Sequence, residues 1–237
     1  MRIGKSAGGA ALVLFILTAG LSGAAMVGGG ADILFTAEAW RFGVGSSAGI
    51  SALLGVPAML VLLAGFARMN RVALAAGALV GIGSFLVTGH AATAAPVWLM
   101  RPAVALHLVC AAYWLGALAP LFAAADQPDA RDMFARFSTR AGVALTLLVL
   151  SGVAIAVVQL GGIAALFTTD YGRLLTLKLA LVAGLMGLAA VNRFILTPRL
   201  ADGPRAMRWS IITEFVLFAL ILAVAASLTA VPPPRAL

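Results

Sequence analysis

Long, uninterrupted apolar runs are the feature that most constrains how this chain can fold. Several of them reach roughly 18 residues or more, enough to cross a bilayer as a helix at about 1.5 Å per residue. A backbone inside a bilayer must satisfy its own hydrogen bonds, so only helices and closed barrels cross it. The runs do not alternate between apolar and polar residues, which excludes a barrel. The sequence therefore predicts an all-α, polytopic bundle of transmembrane helices.

About seven spans are predicted, joined by short links. The first, at residues 10–27, follows Arg2 and Lys5. We expect it to be retained in the membrane rather than cleaved as a signal peptide, because its apolar core is long. The Gly-rich link at 28–45 is a candidate for a short interfacial amphipathic helix. The other six spans are predicted at 46–67, 72–90, 101–123, 139–160, 173–195 and 209–230.

Lysine and arginine outnumber aspartate and glutamate by 16 to 8, which gives a net charge of +8. The basic residues lie in short segments beside the apolar runs, where they orient a membrane protein rather than bind nucleic acid. In the links of a seven-span chain, eleven of these basic residues lie on the same side of the membrane as the N-terminus and four lie on the opposite side. The remaining one, Lys178, lies inside a span. This bias predicts a cytoplasmic N-terminus and an outer C-terminus.

One stretch, residues 86–122, holds both histidines, His90 and His107, and the single cysteine, Cys110. It is typical of a helical hairpin with both histidines at one end, which the predicted topology places on the outer face. Residues three and seven apart share a helix face, so His107, Cys110 and Trp114 form one stripe. Imidazole and thiolate groups bind Cu(I) and other soft ions. The stretch therefore predicts a metal site, which His90 would complete.

The residues leave other interpretations of this site open. Two histidines at similar depth on facing helices can also ligate a b-type haem. Met100 is a candidate thioether ligand near the outer face. The histidines can instead be interfacial residues that bind backbone, with Cys110 as a small packing residue. The chain carries no phosphate-binding loop, dinucleotide fingerprint or serine nucleophile elbow, so we do not expect ATP-driven transport by this chain alone.

Two ionisable residues lie inside predicted spans, Lys178 in the sixth and Glu214 in the seventh. Such residues predict function, although these two fall toward opposite ends of their spans. Asn192 and Arg193 are interpreted as a cytoplasmic anchor at the end of the sixth span. Glycines inside spans are expected to permit close helix approach at Gly116, Gly184 and Gly187.

Four blocks resemble the copper resistance protein D (CopD) family: GHA at 89–91, HLVCAAYWLGAL at 107–118, DYGRLLTLKLAL at 170–181 and VNRFILTPRL at 191–200. The resemblance runs from about residue 73 to the end. It implies a multi-pass bacterial inner-membrane protein that carries copper from periplasm to cytoplasm with a periplasmic copper-binding partner. It also implies a core distantly similar to cytochrome b-type membrane proteins, so haem stays open. The family motif positions are His90, His107, Trp114, Gly116, Tyr171, Gly172, Arg173 and Lys178.

We therefore predict a single transmembrane domain, 1–237, with N-terminal spans at 1–72 and a CopD-like core at 73–237. In the predicted mechanism His90 and His107 receive copper, and Cys110 or Met100 is a softer ligand further on. The alternative is a haem-b electron carrier that uses the same two histidines.

Overall fold

A computed structural model describes residues 2–28, 31–89, 93–200 and 203–236. Regular structure in this part of the chain is helical throughout, which confirms the predicted all-α class. The described residues form two compact units, 1–93 and 94–237. Among the described helices, six are long and apolar enough to cross a membrane: Gly4–Val27, Ser47–Arg68, Val97–Ala124, Ala130–Leu160, Asp170–Leu196 and Arg205–Ala230.

The described residues of the first unit include the four helices α1 to α4. Helix α1 packs against α2 and α3, and α3 packs against α4. The predicted span at 72–90 is shorter than expected, because its α-helix ends at Gly83 and continues only as a tighter 3₁₀ turn. The elements are α1 (Arg2–Val27), a 3₁₀ turn (Ala31–Phe35), α2 (Ala37–Gly45), α3 (Ser47–Arg68), α4 (Arg71–Gly83) and a second 3₁₀ turn (Ser84–Val87).

Polar caps set where the helices of this unit begin. The Ser46 hydroxyl accepts a hydrogen bond from the backbone N–H of Gly49 at 3.1 Å, at the start of α3. The Asn70 side chain accepts from the N–H groups of Val72 and Ala73 at 3.0 and 3.1 Å, at the start of α4. Each cap satisfies N–H groups that have no partner inside the helix.

The second unit contains the four long helices that hold the candidate site. Helix α5 packs against α6 and α8, and α7 packs against α8. A helical turn, Ala165–Thr168, precedes α7, and a π-helical turn, Asn192–Leu196, extends it. The α-helices are α5 (Val97–Ala124), α6 (Ala130–Leu160), α7 (Asp170–Val191) and α8 (Arg205–Ala230).

Large apolar side chains cover the outside of these helices. Leu53 on α3, and Leu150 and Val157 on α6, are all more than 60% exposed. Contiguous apolar surface of this kind is unusual in a soluble monomer and is expected where a protein faces lipid. The predicted transmembrane bundle of about seven spans is thus confirmed, with one span shorter than predicted.

The glycines inside the spans differ from expectation. A Cβ atom added at Gly116, Gly184 or Gly187 would meet no atom within 4 Å, so the predicted close helix approach is not found there among the described residues. The close approach is at Gly172 instead, where a Cβ would overlap the carbonyl oxygen of Ala165. Gly172 therefore allows the turn before α7 to pack against the first turn of that helix.

Candidate functional site

The buried face of α5 carries the soft-ligand side chains of the second unit. Met100 is 0% exposed, Cys110 and Trp114 are buried, and His107 is partly buried. Met100 and His107 are one heptad apart, about 10 Å along the axis, and Cys110 lies about 4.5 Å beyond His107. We call Met100, His107 and Cys110 the ligand stripe.

The His107 ring is oriented by α6. Its Nδ1 lies 3.1 Å from the carbonyl oxygen of Leu148 and 3.3 Å from the hydroxyl of Ser151. A carbonyl oxygen only accepts hydrogen bonds, so Nδ1 carries the proton and donates it. Nε2 of the neutral ring is then left with its lone pair, which is how backbone-bound histidines are prepared to ligate metals.

Gly152 on α6 leaves the space that this ring occupies. A Cβ added at Gly152 would lie 3.1 Å from Cε1 and 3.4 Å from Nδ1 of His107. Contacts this short require the ring to shift, because the crowding atom would belong to a rigid helix. The position of His107 therefore depends on a glycine that the sequence patterns did not single out.

The second predicted histidine, His90, lies outside the described residues, so its pairing with His107 stays a prediction. Among the residues that are described, no three or more histidine, cysteine, aspartate or glutamate side chains gather as a metal cluster. The described ligands are instead an imidazole, a thiol and a thioether spaced along one helix. This arrangement offers separate weak positions rather than one closed site.

One helical turn beyond Cys110, the side chain of Trp114 contacts a buried carboxylate on α8. Glu214 of α8 is 4% exposed, and its Oε2 accepts a hydrogen bond from Trp114 Nε1 at 3.1 Å. Its Oε1 accepts from Asn192 Nδ2 at 2.5 Å, and the Ser210 hydroxyl donates to Asn192 Oδ1 at 2.5 Å. We call Trp114, Asn192, Ser210 and Glu214 the carboxylate network.

Sequence reasoning missed the role of Asn192. It was interpreted as part of a cytoplasmic anchor, but its amide binds Glu214 inside the unit. Asn192 begins the π-helical turn, and single π turns inside helices frequently mark functional positions. The sequence feature that could have indicated this role is Glu214, because a lone acid in an apolar run needs a polar partner from another segment.

A cavity of about 270 Å³ opens beside the carboxylate network. It lies where α5 and α7 end and α6 and α8 begin, and its walls are mostly leucine, phenylalanine and alanine. Its polar lining includes Glu214, Asn192, Arg193 and Ser138. The Arg193 guanidinium donates to the carbonyl oxygen of Ser138 at 2.8 Å and to its hydroxyl at 3.2 Å.

In the predicted motif at the start of α7, Tyr171 is buried and hydrogen-bonded, whereas Arg173 is exposed and ion-paired. The Tyr171 hydroxyl donates to Gln159 Oε1 at 3.0 Å, and both side chains are buried. Arg173 forms an exposed ion pair with Asp170 at 3.3 Å. Lys178, further inside α7, is partly buried.

Comparison with known proteins identifies part of this unit. The family model described as "Copper resistance protein D" (CopD) matches residues 131–228, from α6 to α8. The predicted resemblance to CopD is confirmed. Inner membrane protein YebZ of Escherichia coli (strain K12) is 32% identical over 139 residues, 54% of this chain and 48% of YebZ. The chain thus spans about half the length of this curated relative. No solved structure matches the chain.

The CopD match is narrower than the predicted core at 73–237. It contains the Tyr171 motif, Lys178 and three members of the carboxylate network, Asn192, Ser210 and Glu214. It leaves out α5, so the ligand stripe rests on its own geometry. The CopD match, the inner-membrane relative and the long apolar helices confirm the predicted multi-pass inner-membrane localisation. They also link the chain to copper resistance at that membrane.

Proposed function

We propose that this chain binds copper and moves it across the inner membrane, from periplasm to cytoplasm. The observation that carries the proposal is the ligand stripe on α5, in which His107 is held with Nε2 available to a metal. Thioether, imidazole and thiolate groups are ligands that copper prefers over hard cations. The CopD match beside the stripe supports copper as the cargo.

The spacing of the stripe supports movement rather than storage. Met100, His107 and Cys110 follow one another along one helix face, about 10 Å and about 4.5 Å apart along its axis, so each offers an ion a separate stopping point. Conduction needs sites that are strong enough to admit an ion and weak enough to release it. A transporter of this kind needs no catalytic group, so we propose a carrier and not an enzyme.

The proposed direction is the one that the resemblance to CopD implies, and the predicted topology gives the end of α5 at which the ion would enter. The excess of basic residues on the N-terminal side favours a cytoplasmic N-terminus, which places the Met100 end of α5 outside. We propose that a periplasmic copper-binding protein delivers the ion to this end, with His90 as the second histidine of the entry site.

Haem fits the described residues less well than copper does. The 270 Å³ cavity of the second unit is not lined by His107, and His90 lies outside the described part of the chain. The His107 ring instead packs closely against Gly152 of α6, where an added Cβ atom would lie 3.1 Å from Cε1 of the ring. We therefore propose copper as cargo and keep haem as an outcome of the test.

The test is copper binding by the full chain in detergent, with an absorption spectrum of the same sample. We expect Cu(I) binding without a Soret band, and the loss of this binding in His107→Ala and in His90→Ala. The role of Met100 is tested by Cu(I) binding in Met100→Leu. Its matched control is Met69→Leu, at a 70% exposed methionine of the first unit. Unchanged Cu(I) binding in both histidine variants would overturn the proposal, and a Soret band would assign the histidines to haem.

A further inference from the structure

In the part of the chain that the structure describes, no cation is hydrogen-bonded to or ion-paired with the buried carboxyl group of Glu214. Among the described residues, the hydrogen bonds to its oxygens come from two neutral groups, the Trp114 indole and the Asn192 amide. An ionised carboxylate in an apolar interior is costly unless it is paired with an opposite charge. Glu214 therefore has a polar environment that can hold its charged form but no charge that fixes it there.

In the part of the chain that the structure describes, the other elements around Glu214 contribute no acid or histidine to the cavity. Helix α5 contributes Trp114 and leucines, and α6 contributes apolar side chains and Ser138. The end of α7 contributes Asn192 and Arg193, and the Ser210 hydroxyl of α8 reaches the carboxylate network through Asn192. Arg193 is the one cation among the described lining residues, and its guanidinium is bound to Ser138. A nearby cation that is not bound to the carboxylate can favour its charge without neutralising it.

The cavity has room for water beside the carboxyl group. A volume of about 270 Å³ exceeds that of several water molecules, since each occupies about 30 Å³ in the liquid. The polar partners that such waters need are offered by Glu214, Asn192, Arg193 and Ser138.

Ser210 holds the Asn192 amide in the orientation that serves the carboxylate. Its hydroxyl donates to Asn192 Oδ1, so the NH₂ group of the amide must face Glu214. Ser210 and Asn192 are therefore positioning residues, since neither takes up a proton. Their arrangement keeps a donor aimed at Oε1 whenever the carboxyl group is ionised.

We propose that Glu214 is a proton-exchange site inside the membrane-spanning part of the second unit. A hydronium ion in the cavity gives its proton to a carboxylate oxygen, which forms the acid O–H bond and leaves water. In the reverse step the acid returns its proton to water, and the carboxylate again accepts from Trp114 and Asn192. The exchange needs no copper, so this inference stands apart from the proposed transport.

The experiment is an infrared pH titration of the full chain in detergent without metal. Protonated carboxylic acids give a carbonyl band that grows as the pH falls and shifts in D₂O. We expect Glu214→Gln to remove one component of this band, at a frequency that differs from the component lost in Glu38→Gln, a matched control at an exposed glutamate of α2. A titration that Glu214→Gln leaves unchanged, or a Glu214 component that does not change over the pH range in which the chain stays folded, would overturn the proposal.

A second variant keeps the test decisive if Glu214→Gln does not fold. Glu214→Asp retains a carboxyl group but moves it relative to Trp114 and Asn192, so its component of the band should remain at a shifted frequency. A band with no shifted component in this variant would assign the signal to another carboxyl group and refute the role of Glu214. Failure of copper binding in the preceding test would leave either result unaffected.

Discussion

Trp114 on α5 donates a 3.1 Å hydrogen bond to Glu214 on α8, across 100 residues of sequence. The bond joins a helix outside the CopD match to a helix inside it. Trp114 continues the helix face that bears the ligand stripe, whereas Glu214 lies within the CopD match. This contact ties α5 directly to the buried carboxylate of α8.

The first prediction concerns the strength of that contact. Trp114→Phe keeps the aromatic packing against Phe218, whose ring centroid is 5.7 Å away, but removes the N–H donor. A buried polar group left without a partner costs about 1 to 3 kcal/mol of stability. We expect the free energy of unfolding in mixed detergent to fall by that amount. Trp98→Phe, at a 78% exposed tryptophan of α5, should change it little; equal effects in the two variants would contradict the assignment.

The second prediction concerns the space beside His107. Gly152→Ala adds a Cβ atom 3.1 Å from Cε1 of the ring, so the imidazole must move away from Leu148 and Ser151. Altered support of a metal-ligating histidine typically lowers metal affinity by about 10- to 100-fold. We expect Gly152→Ala to weaken Cu(I) binding by about tenfold, as measured by competition with a chelator.

Gly142→Ala is the matched control for this experiment. It makes the same change on the same helix, but its Cβ would lie 3.8 Å from Arg193 Nη1, an ordinary contact. Its copper affinity should equal that of the unaltered chain. A similar loss in both variants would show that the helix, rather than the ring position, is responsible.

The third prediction concerns the buried pair that joins α6 to α7. Tyr171→Phe removes the hydroxyl that donates to Gln159 Oε1 at 3.0 Å and leaves the glutamine oxygen without this donor. Hydrogen bonds between membrane helices contribute about 0.6 to 2 kcal/mol. We expect a loss of about 1 kcal/mol in the free energy of unfolding, with copper affinity unchanged. Tyr113→Phe, at a tyrosine 40% exposed, serves as the control and should be neutral.

Local periodicity explains how much of this molecule could be predicted from sequence. The apolar runs predict the spans because membrane helices are continuous and need no distant partner. The shared face of His107, Cys110 and Trp114 follows from helical geometry alone. Within the second unit the sequence thus predicts which residues share the buried face of α5, but not which helix α5 packs against.

The contacts that were missed depend on packing between distant segments. Asn192 and Glu214 are 22 residues apart, and Trp114 and Glu214 are 100 apart, so no local pattern joins them. The expectation for Gly184 was wrong because a small residue in a membrane helix can face lipid as well as a neighbouring helix. Only the path of the backbone around Ala165 shows that, of the glycines in α7, Gly172 is the one where a side chain would collide with neighbouring atoms.

The last prediction uses these two glycines of α7 as a matched pair. Gly172→Ala places a Cβ against the carbonyl oxygen of Ala165, so the turn before α7 must move. Gly184→Ala meets no atom within 4 Å and gains helix propensity, which is worth up to about 1 kcal/mol. We expect Gly172→Ala to lower the free energy of unfolding and Gly184→Ala to leave it unchanged or raise it. The reverse order would show that the close approach lies at Gly184, against a neighbouring molecule, and not within this chain.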